Sequence, residues 1–262
     1  MIRVDVYLTQ NGFCESRNKA AKLIEQGLIS IDGQNISKVS EHIDEISEHE
    51  VIIKEHDGFV GRGGLKLEAA LERFDVEIAN CRFIDVGAST GGFTQCLLQH
   101  GAKSVVAVDS GKGQLHKSLL EDDRVTSVEG FNARYIDAAK FGMFDGAVMD
   151  VSFISQTLII PSLAGVLHDG GIFISLIKPQ FEAGRAAIGK NGIVKKASDR
   201  EMSILRVLEC AGACGFSLKG IMRSPIQGGD GNVEFLACFI KSNEGTVLSD
   251  QIKTSINRLC RE

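Results

Sequence analysis

With 262 residues, 44% apolar and 24% charged, the chain is long enough for one sizeable domain or a large and a small one, and wholesale disorder is excluded. The net charge of −5 is unevenly placed. Residues 1–60 hold 6 Lys/Arg against 11 Asp/Glu and residues 61–262 hold 23 of each, so a basic footprint for nucleic acid has to be local.

The longest uncharged stretch, 151–167, carries Ser152, Ser155, Gln156, Thr157, Pro161 and Ser162, a polar load that a bilayer-crossing helix does not tolerate. Residues 1–5 already include Arg3 and Asp5 and lead into no apolar signal segment, so the expectation is a cytoplasmic protein without a membrane partner. The seven cysteines are odd in number and form no CxxC pair, which predicts reduced, mostly buried thiols and no metal site. Cys210 and Cys214 are spaced to share a helix face, but no histidine lies near them in sequence. His42, His49 and His56 recur every seven residues in a charged stretch and read as solvated surface.

In chain order, Ser16 is placed as the N-cap of a helix over 17–26, with Ala20, Ala21, Leu23 and Ile24 on its apolar stripe and Gly27 at its end. Residues 28–31 predict a strand, Asp32-Gly33 a hairpin turn and residues 51–53 a further strand. A boundary near Asp57-Gly58 divides the chain into a small α+β domain, 1–58, and a larger one, 59–262. Strands at 82–86, 104–109, 125–128, 146–151 and 171–177 alternate with helical segments, the pattern of a mostly parallel sheet in an α/β, Rossmann-like domain. Ser198 and Glu201 form a capping-box signature for a helix carrying Met202, Leu205 and Leu208. Residues 217–223 and 232–241 read as a terminal antiparallel pair joined by the Gly-rich loop 224–231.

The most informative stretch is Phe83-Ile84-Asp85-Val86-Gly87-Ala88-Ser89-Thr90-Gly91-Gly92-Phe93, in which an apolar strand runs into a glycine-dense turn and then an apolar helix. Such a turn lets the backbone approach a nucleotide-like ligand at the carboxyl edge of the sheet. Neither GxGxxG nor GxxxxGK[ST] occurs there, which removes the usual arrangements for NAD and for a triphosphate. Asp109 closes the next strand, where a carboxylate can accept hydrogen bonds from a ribose diol, and Asn132 follows the third strand at the same edge.

The stretch Asp85 to Thr94 resembles the S-adenosylmethionine loop of the TlyA family, ribosomal-RNA 2′-O-methyltransferases also called hemolysins and grouped with the FtsJ-like enzymes. The resemblance continues in order through Arg62-Gly-Gly-Leu-Lys66-Leu, Gly113-Gln-Leu, Asn132-Ala-Arg134, Asp150-Val-Ser-Phe-Ile-Ser155, Lys178-Pro-Gln-Phe-Glu182 and Gly231-Asn-Val-Glu234. Residues 1–54 resemble the S-four RNA-binding domain through Arg3-Val-Asp5, Ser16-Arg17 and Ile31-Asp32-Gly33.

This resemblance implies a catalytic tetrad at Lys66, Asp150, Lys178 and Glu234, and S-adenosyl-L-methionine as cofactor. The expected cofactor residues are Asp85, Gly87, Ala88, Ser89, Thr90, Gly91, Gly92, Phe93, Asp109, Asn132 and Asp150, with a structural cap of the loop the alternative for Asp85 and satisfaction of a turn the alternative for Asn132. Arg3, Arg17, Lys19, Lys22, Arg62, Arg134 and Arg185 are candidate RNA contacts, and Phe153 and Phe181 candidate stacking or lining groups. Asp150 and Lys178 end the fourth and fifth predicted strands and Lys66 lies on the helix before the first, so topology alone brings three of the four to one sheet edge.

The expected reaction is methylation of the ribose 2′-hydroxyl of a ribosomal-RNA cytidine, with ribosomal subunits as partners and DNA excluded for want of that hydroxyl. Lys178 is the expected proton acceptor, aided by the like charge of Lys66 and by desolvation; Asp150 positions it, and Glu234 orients Lys178 or the ribose. The alternative is a non-catalytic rRNA-binding or ribosome-assembly factor. A pore-forming hemolysin is disfavoured because no strongly amphipathic or spanning segment is present. Oligomeric state has no signal in the sequence.

Overall fold

The computed structural model describes residues 1–14, 16–25, 27–45, 47, 49–53, 58–189, 192–228, 231–242 and 248–261, with only the backbone of Lys22 and Glu25. Two compact units form, Met1–Arg62 and Gly63–Glu262. Asp57, where the boundary is read from sequence, and residue 26, the expected helix end, lie outside the described residues.

In the small unit β1 (Ile2–Arg3) leads directly into α1 (Val4–Gln10), followed by α2 (Arg17–Glu25), β2 (Ile29–Ile31), β3 (Gln34–Asn35), β4 (His42–Ile43) and β5 (Val51–Ile53). Ser16 Oγ accepts from the Lys19 N–H at 3.2 Å, capping α2. Asp32 and Gly33 both adopt positive φ, 51° and 76°, as a two-residue hairpin turn between β2 and β3 requires. Val4, Leu8, Ala20, Ile24, Ile29, Ile31 and Ile36 close a core between the two helices and the β3-β2-β5 sheet. His49 departs from the solvated reading: its ring bridges the Asp32 carboxylate, at 2.6 Å, and the Asp44 carbonyl, at 2.7 Å.

The larger unit opens with α3 (Gly63–Phe74), then β6 (Arg82–Val86), α4 (Gly92–Gln99), β7 (Ser104–Val108), α5 (Lys117–Leu120), β8 (Val125–Val128), α6 (Ala138–Phe141) and β9 (Phe144–Met149). It continues with α7 (Ile160–Ala164), β10 (Leu167–Ile177), α8 (Pro179–Glu182), α9 (Ala197–Ala213), β11 (Phe216–Arg223), β12 (Phe235–Lys241) and α10 (Asp250–Arg261). The seven strands lie in the order β11-β12-β10-β9-β6-β7-β8, with β12 antiparallel to both of its neighbours. From β6 the chain steps outward to β7 and β8, then returns to the other side of β6 for β9 and β10. Because parallel crossovers are right-handed, this reversal puts the two sets of connecting helices on opposite faces and opens a crevice between the carboxyl ends of β6 and β9.

The apolar pattern explains which strands are central. Phe235-Leu-Ala-Cys-Phe239 lacks alternation and is fully buried, and β12 accordingly sits inside the sheet between β10 and β11. Asn232 to Glu234 precede the strand instead of belonging to it, because the Asn232 side chain is engaged with the loop before α9, accepting from the Val194 N–H and donating to the Gly192 carbonyl. Phe173 stacks on Phe239 at 5.4 Å and meets Phe216 at 5.2 Å, tying the three strands of that edge together.

The capping-box expectation is corrected. Helix α9 starts at Ala197 with Lys196 as N-cap, whose carbonyl accepts from the Asp199 and Arg200 N–H groups, so Ser198 already lies in the first turn. Its buried stripe is Ile204, Val207, Leu208 and Ala211, while Met202 is exposed. All seven cysteines are free, and among the described residues no His/Cys/Asp/Glu cluster could hold a metal and no helix is long and apolar enough to cross a membrane.

Gly146 of β9 pairs with Phe83 of β6, and a Cβ there would lie 2.2 Å from the buried Phe83 ring. Gly146→Ala is therefore expected to destabilise the larger unit by about 1–3 kcal/mol through overpacking, read as a lowered urea midpoint with unchanged slope.

Candidate active site

Val86 ends β6, and Gly87 turns at φ 85° directly against the chain leaving β9; a Cβ on Gly87 would lie 2.5 Å from the Asp150 carbonyl oxygen. The Asp150 N–H donates to Val86 O at 3.0 Å, and the Gly87 and Ala88 N–H groups both donate to Val108 O. Three strand ends are thus laced together by backbone, and only glycine fits at 87.

Beside this seam lies a cavity of about 350 Å³ lined by Gly87, Ser89, Asp109, Asn132, Asp150 and Ser152, with Phe131 and Phe153 among its apolar walls. Asp109 accepts from the Ser89 N–H at 2.9 Å and the Gly111 N–H at 2.7 Å, joining the loops that follow β6 and β7. Glu129 receives the N–H groups of Gly113, Gln114 and Leu115, which hold its carboxyl below the usual range and shape the loop that presents Gln114 to the cavity. Asn132 uses Oδ1 to cap the following turn, accepting from the Arg134 N–H at 3.1 Å.

Of the expected cofactor residues, Gly87, Ser89, Asp109, Asn132 and Asp150 line the cavity, whereas Asp85, Ala88, Thr90, Gly91, Gly92 and Phe93 do not. The latter build its support. Asp85 is fully buried and accepts from Thr94 Oγ1 at 2.6 Å; Thr90 O accepts from the His116 N–H. Gly91 is the N-cap of α4 at φ 95°, where a Cβ would lie 2.1 Å from a Leu119 methyl. Ala88, Gly92 and Phe93 are buried in the same packing.

Two ion pairs stand at this edge. Lys178, immediately after β10, places Nζ 2.6 Å from Asp150 Oδ1 and donates to Ser152 Oγ at 2.8 Å. The contact with Asp150 is close yet off the hydrogen-bonding direction: Oδ1 is buried and receives no directed hydrogen bond, so distance and angle describe an ion pair, with the directed bond going to Ser152. Lys66 on α3 donates to Glu234 Oε2 at 2.6 Å, both side chains being buried. Gly63, in the same first turn as Lys66, sits where a Cβ would be 3.9 Å from Asp150 Oδ2. Of the two roles expected for Glu234, orienting Lys178 or the ribose, the structure does not make the first: Glu234 binds Lys66, so Lys66 meets a carboxylate rather than standing as a bare like charge.

The candidate RNA contacts fall in both units. Arg3 and Arg17 both bind the buried Asp5, at 2.9 and 2.8 Å, and Lys19 is exposed; the Lys22 side chain lies outside what is described. Arg62 is half-buried, and Arg134 and Arg185 are exposed. Ser152, Glu129 and Thr94 were missed from sequence. Ser152 lies inside the Asp150 to Ser155 stretch, which could have flagged it, while Glu129 carries no local signal.

The FtsJ-like methyltransferase family matches residues 59–241 and the S4 domain residues 2–48. The chain is 41% identical over 262 residues to YqxC of Bacillus subtilis (strain 168), covering 99% of this chain and 93% of that protein. It is 36% identical to the 16S/23S rRNA (cytidine-2′-O)-methyltransferase TlyA of Mycobacterium tuberculosis (strain ATCC 25618 / H37Rv), covering 99% of this chain and 97% of that one. The chain belongs to the TlyA family. A solved Streptococcus thermophilus structure superposes with a TM-score of 0.78 at 44% identity, covering 99% of this chain and 94% of the other.

Members of the family are S-adenosylmethionine-dependent methyltransferases, and this chain is one. The cavity fits that cofactor: no lysine or arginine lines it among the described residues, which disfavours a polyphosphate, while two carboxylates, Asp109 and Asp150, suit a cationic nucleoside.

Burial pushes the Asp85 carboxyl up to about 7, with the Thr94 hydrogen bond opposing and Asp150 adding to the rise. A carboxyl that binds its proton more tightly when folded favours folding at acid pH, and that contribution is lost as pH rises from the unfolded value through about 7. Urea unfolding of Asp85→Asn is accordingly expected to gain on wild type between about pH 4 and about pH 8, by at most roughly 4 kcal/mol; a pH-independent difference would contradict this.

Proposed function

We propose that this chain methylates the ribose 2′-hydroxyl of a cytidine in ribosomal RNA, with Lys66, Asp150, Lys178 and Glu234 as its reacting and positioning groups. The observation that carries this reading is Asp150, which lines a cation-compatible cavity where the sheet order reverses and stands 2.6 Å from the Lys178 ammonium behind it. The family membership supports the reaction class, and the name of the M. tuberculosis relative supports the cytidine.

When bound, S-adenosylmethionine supplies a methyl group already activated on a sulfonium sulfur. The protein's task is to align the acceptor oxygen and to manage its proton. In this reading Lys178 takes the proton of the 2′-hydroxyl. Asp150 and Ser152, which line the cavity, hold the amine beside them: Asp150 balances its charge, while Ser152 accepts from it and restricts its rotamer. Lys66 and Glu234, locked together, orient the ribose from the α3 side.

Residues 1–58 are proposed to dock structured RNA in ribosomal subunits and residues 59–262 to catalyse, in the cytoplasm. The S4 match supports the docking role, with Arg3, Arg17, Lys19 and Lys22 as its proposed cationic contacts, while Arg62, Arg134 and Arg185 are proposed RNA contacts of the catalytic part. Asp5 accepts from both Arg3 and Arg17 and so keeps the two guanidinium groups together, an arrangement suited to phosphate oxygens.

The deciding experiment maps 2′-O-methylated riboses in ribosomal RNA from cells with and without the protein. One cytidine losing its methyl group is the expected result, and an identical map would leave only the assembly-factor reading. Lys178→Ala is expected to lower methyl transfer by about 10²–10⁴-fold while cofactor affinity, measured by calorimetry, is retained. Undiminished transfer would remove Lys178 as proton acceptor.

A further inference from the structure

Glu182 closes α8 at 2% exposure and neither lines the cavity nor touches either ion pair. Its Oε2 accepts from Ser155 Oγ at 2.5 Å and its Oε1 from the Gln156 N–H at 2.8 Å. Burial pushes this carboxyl up, the two hydrogen bonds opposing. Ser155 and Gln156 end the loop that begins at Asp150, whereas Glu182 ends the segment that begins at Lys178. The carboxyl therefore staples the loop after β9 to the turn after β10 at the ends remote from the ion pair.

The staple is anchored in turn. The Gln156 amide donates to Leu176 O and accepts from Ser175 Oγ, both on β10, and Arg206 of α9 donates to the Glu182 carbonyl. Between the staple and the ion pair lies Phe153, held at φ 64°, 92% exposed and 5.2 Å from the Phe181 ring. A left-handed backbone at a bulky residue persists only where its surroundings over-determine it, and the Ser155–Gln156 anchor two residues onward supplies that determination.

We infer that Glu182 is a positioning residue for methyl transfer: by clamping these two segments together it sets the Lys178–Asp150–Ser152 geometry. This rests on the function proposed above. Misplacing a reacting group by about 1 Å is enough to lower turnover ~100-fold. Loss of the clamp should therefore appear in kcat more than in cofactor binding, because Gly87, Ser89, Asp109 and Asn132 line the cavity from loops that the clamp does not hold.

The test compares Glu182→Ala, Glu182→Gln and Ser155→Ala in the full chain. Glutamine can still accept from the Gln156 N–H and donate to Ser155 Oγ, whereas alanine can do neither. Expected are a kcat lowered about 10–100-fold in Glu182→Ala with a several-fold smaller change in KM for S-adenosylmethionine, a smaller loss in Ser155→Ala, and restoration of most of kcat in Glu182→Gln. Competitive acetylation of Lys178 by acetic anhydride, read by mass spectrometry without RNA or cofactor, is expected to rise in Glu182→Ala and to return towards wild type in Glu182→Gln.

A folded Glu182→Ala protein with wild-type kcat and wild-type Lys178 labelling overturns the inference, as does a glutamine variant no better than alanine. Should Glu182→Ala fail to fold, wild-type kcat in Ser155→Ala overturns it. If the wild-type chain methylates no RNA, the proposed function fails, while the labelling comparison still decides whether Glu182 sets the lysine's environment.

Discussion

The backbone contact between Gly87 and the chain leaving β9 at Asp150 is the constraint on which the site depends. Neighbouring strands whose connections run in opposite directions must diverge at their carboxyl ends, and here the divergence is held to the width of a glycine, since a Cβ at 87 would stand 2.5 Å from the Asp150 carbonyl. That closeness fixes where Asp150 enters the cavity wall. Through Asp150 it fixes where Lys178 stands, one strand further along the sheet.

Charge at this edge is arranged for function more than for stability. Taking a carboxylate and an ammonium from water costs several kcal/mol per ion, and the attraction between them roughly offsets that cost, so a buried pair such as Lys66–Glu234 contributes little net stability. Such a pair does impose geometry, because removing either partner strands the other in a medium that cannot solvate it. Asp85 shows the same tension in another form: buried, with one oxygen bound to Thr94 and the other without a partner among the described residues, its carboxyl is shifted toward the neutral state. The hydroxyl of Thr94, the amides that cradle Glu129 and the clamp at Glu182 all act behind the cavity wall.

Much of this was readable from local pattern. The alternation of apolar strands with helices, the glycine-dense turn after Val86 and the positions of Asp109 and Asp150 at strand ends follow from hydrophobic periodicity and turn chemistry, which act over a few residues. The start of α9 was misread because Lys196 terminates the extended segment through its backbone, without a side-chain cap that a sequence pattern can display. His49 was misread because its partners, Asp32 and the Asp44 carbonyl, reach it only after the hairpin forms.

The sequence by itself determined the element types, the apolar stripes and the set of acids and amines available at the carboxyl edge, because each of these is a property of neighbouring residues. Only tertiary structure decided that β12 lies between β10 and β11, that Glu234 binds Lys66 instead of Lys178, and that six residues of the glycine loop support the cavity instead of lining it. These outcomes depend on which distant segments are brought within hydrogen-bonding reach. Lys66 and Glu234 are 168 positions apart, and no local periodicity encodes their meeting.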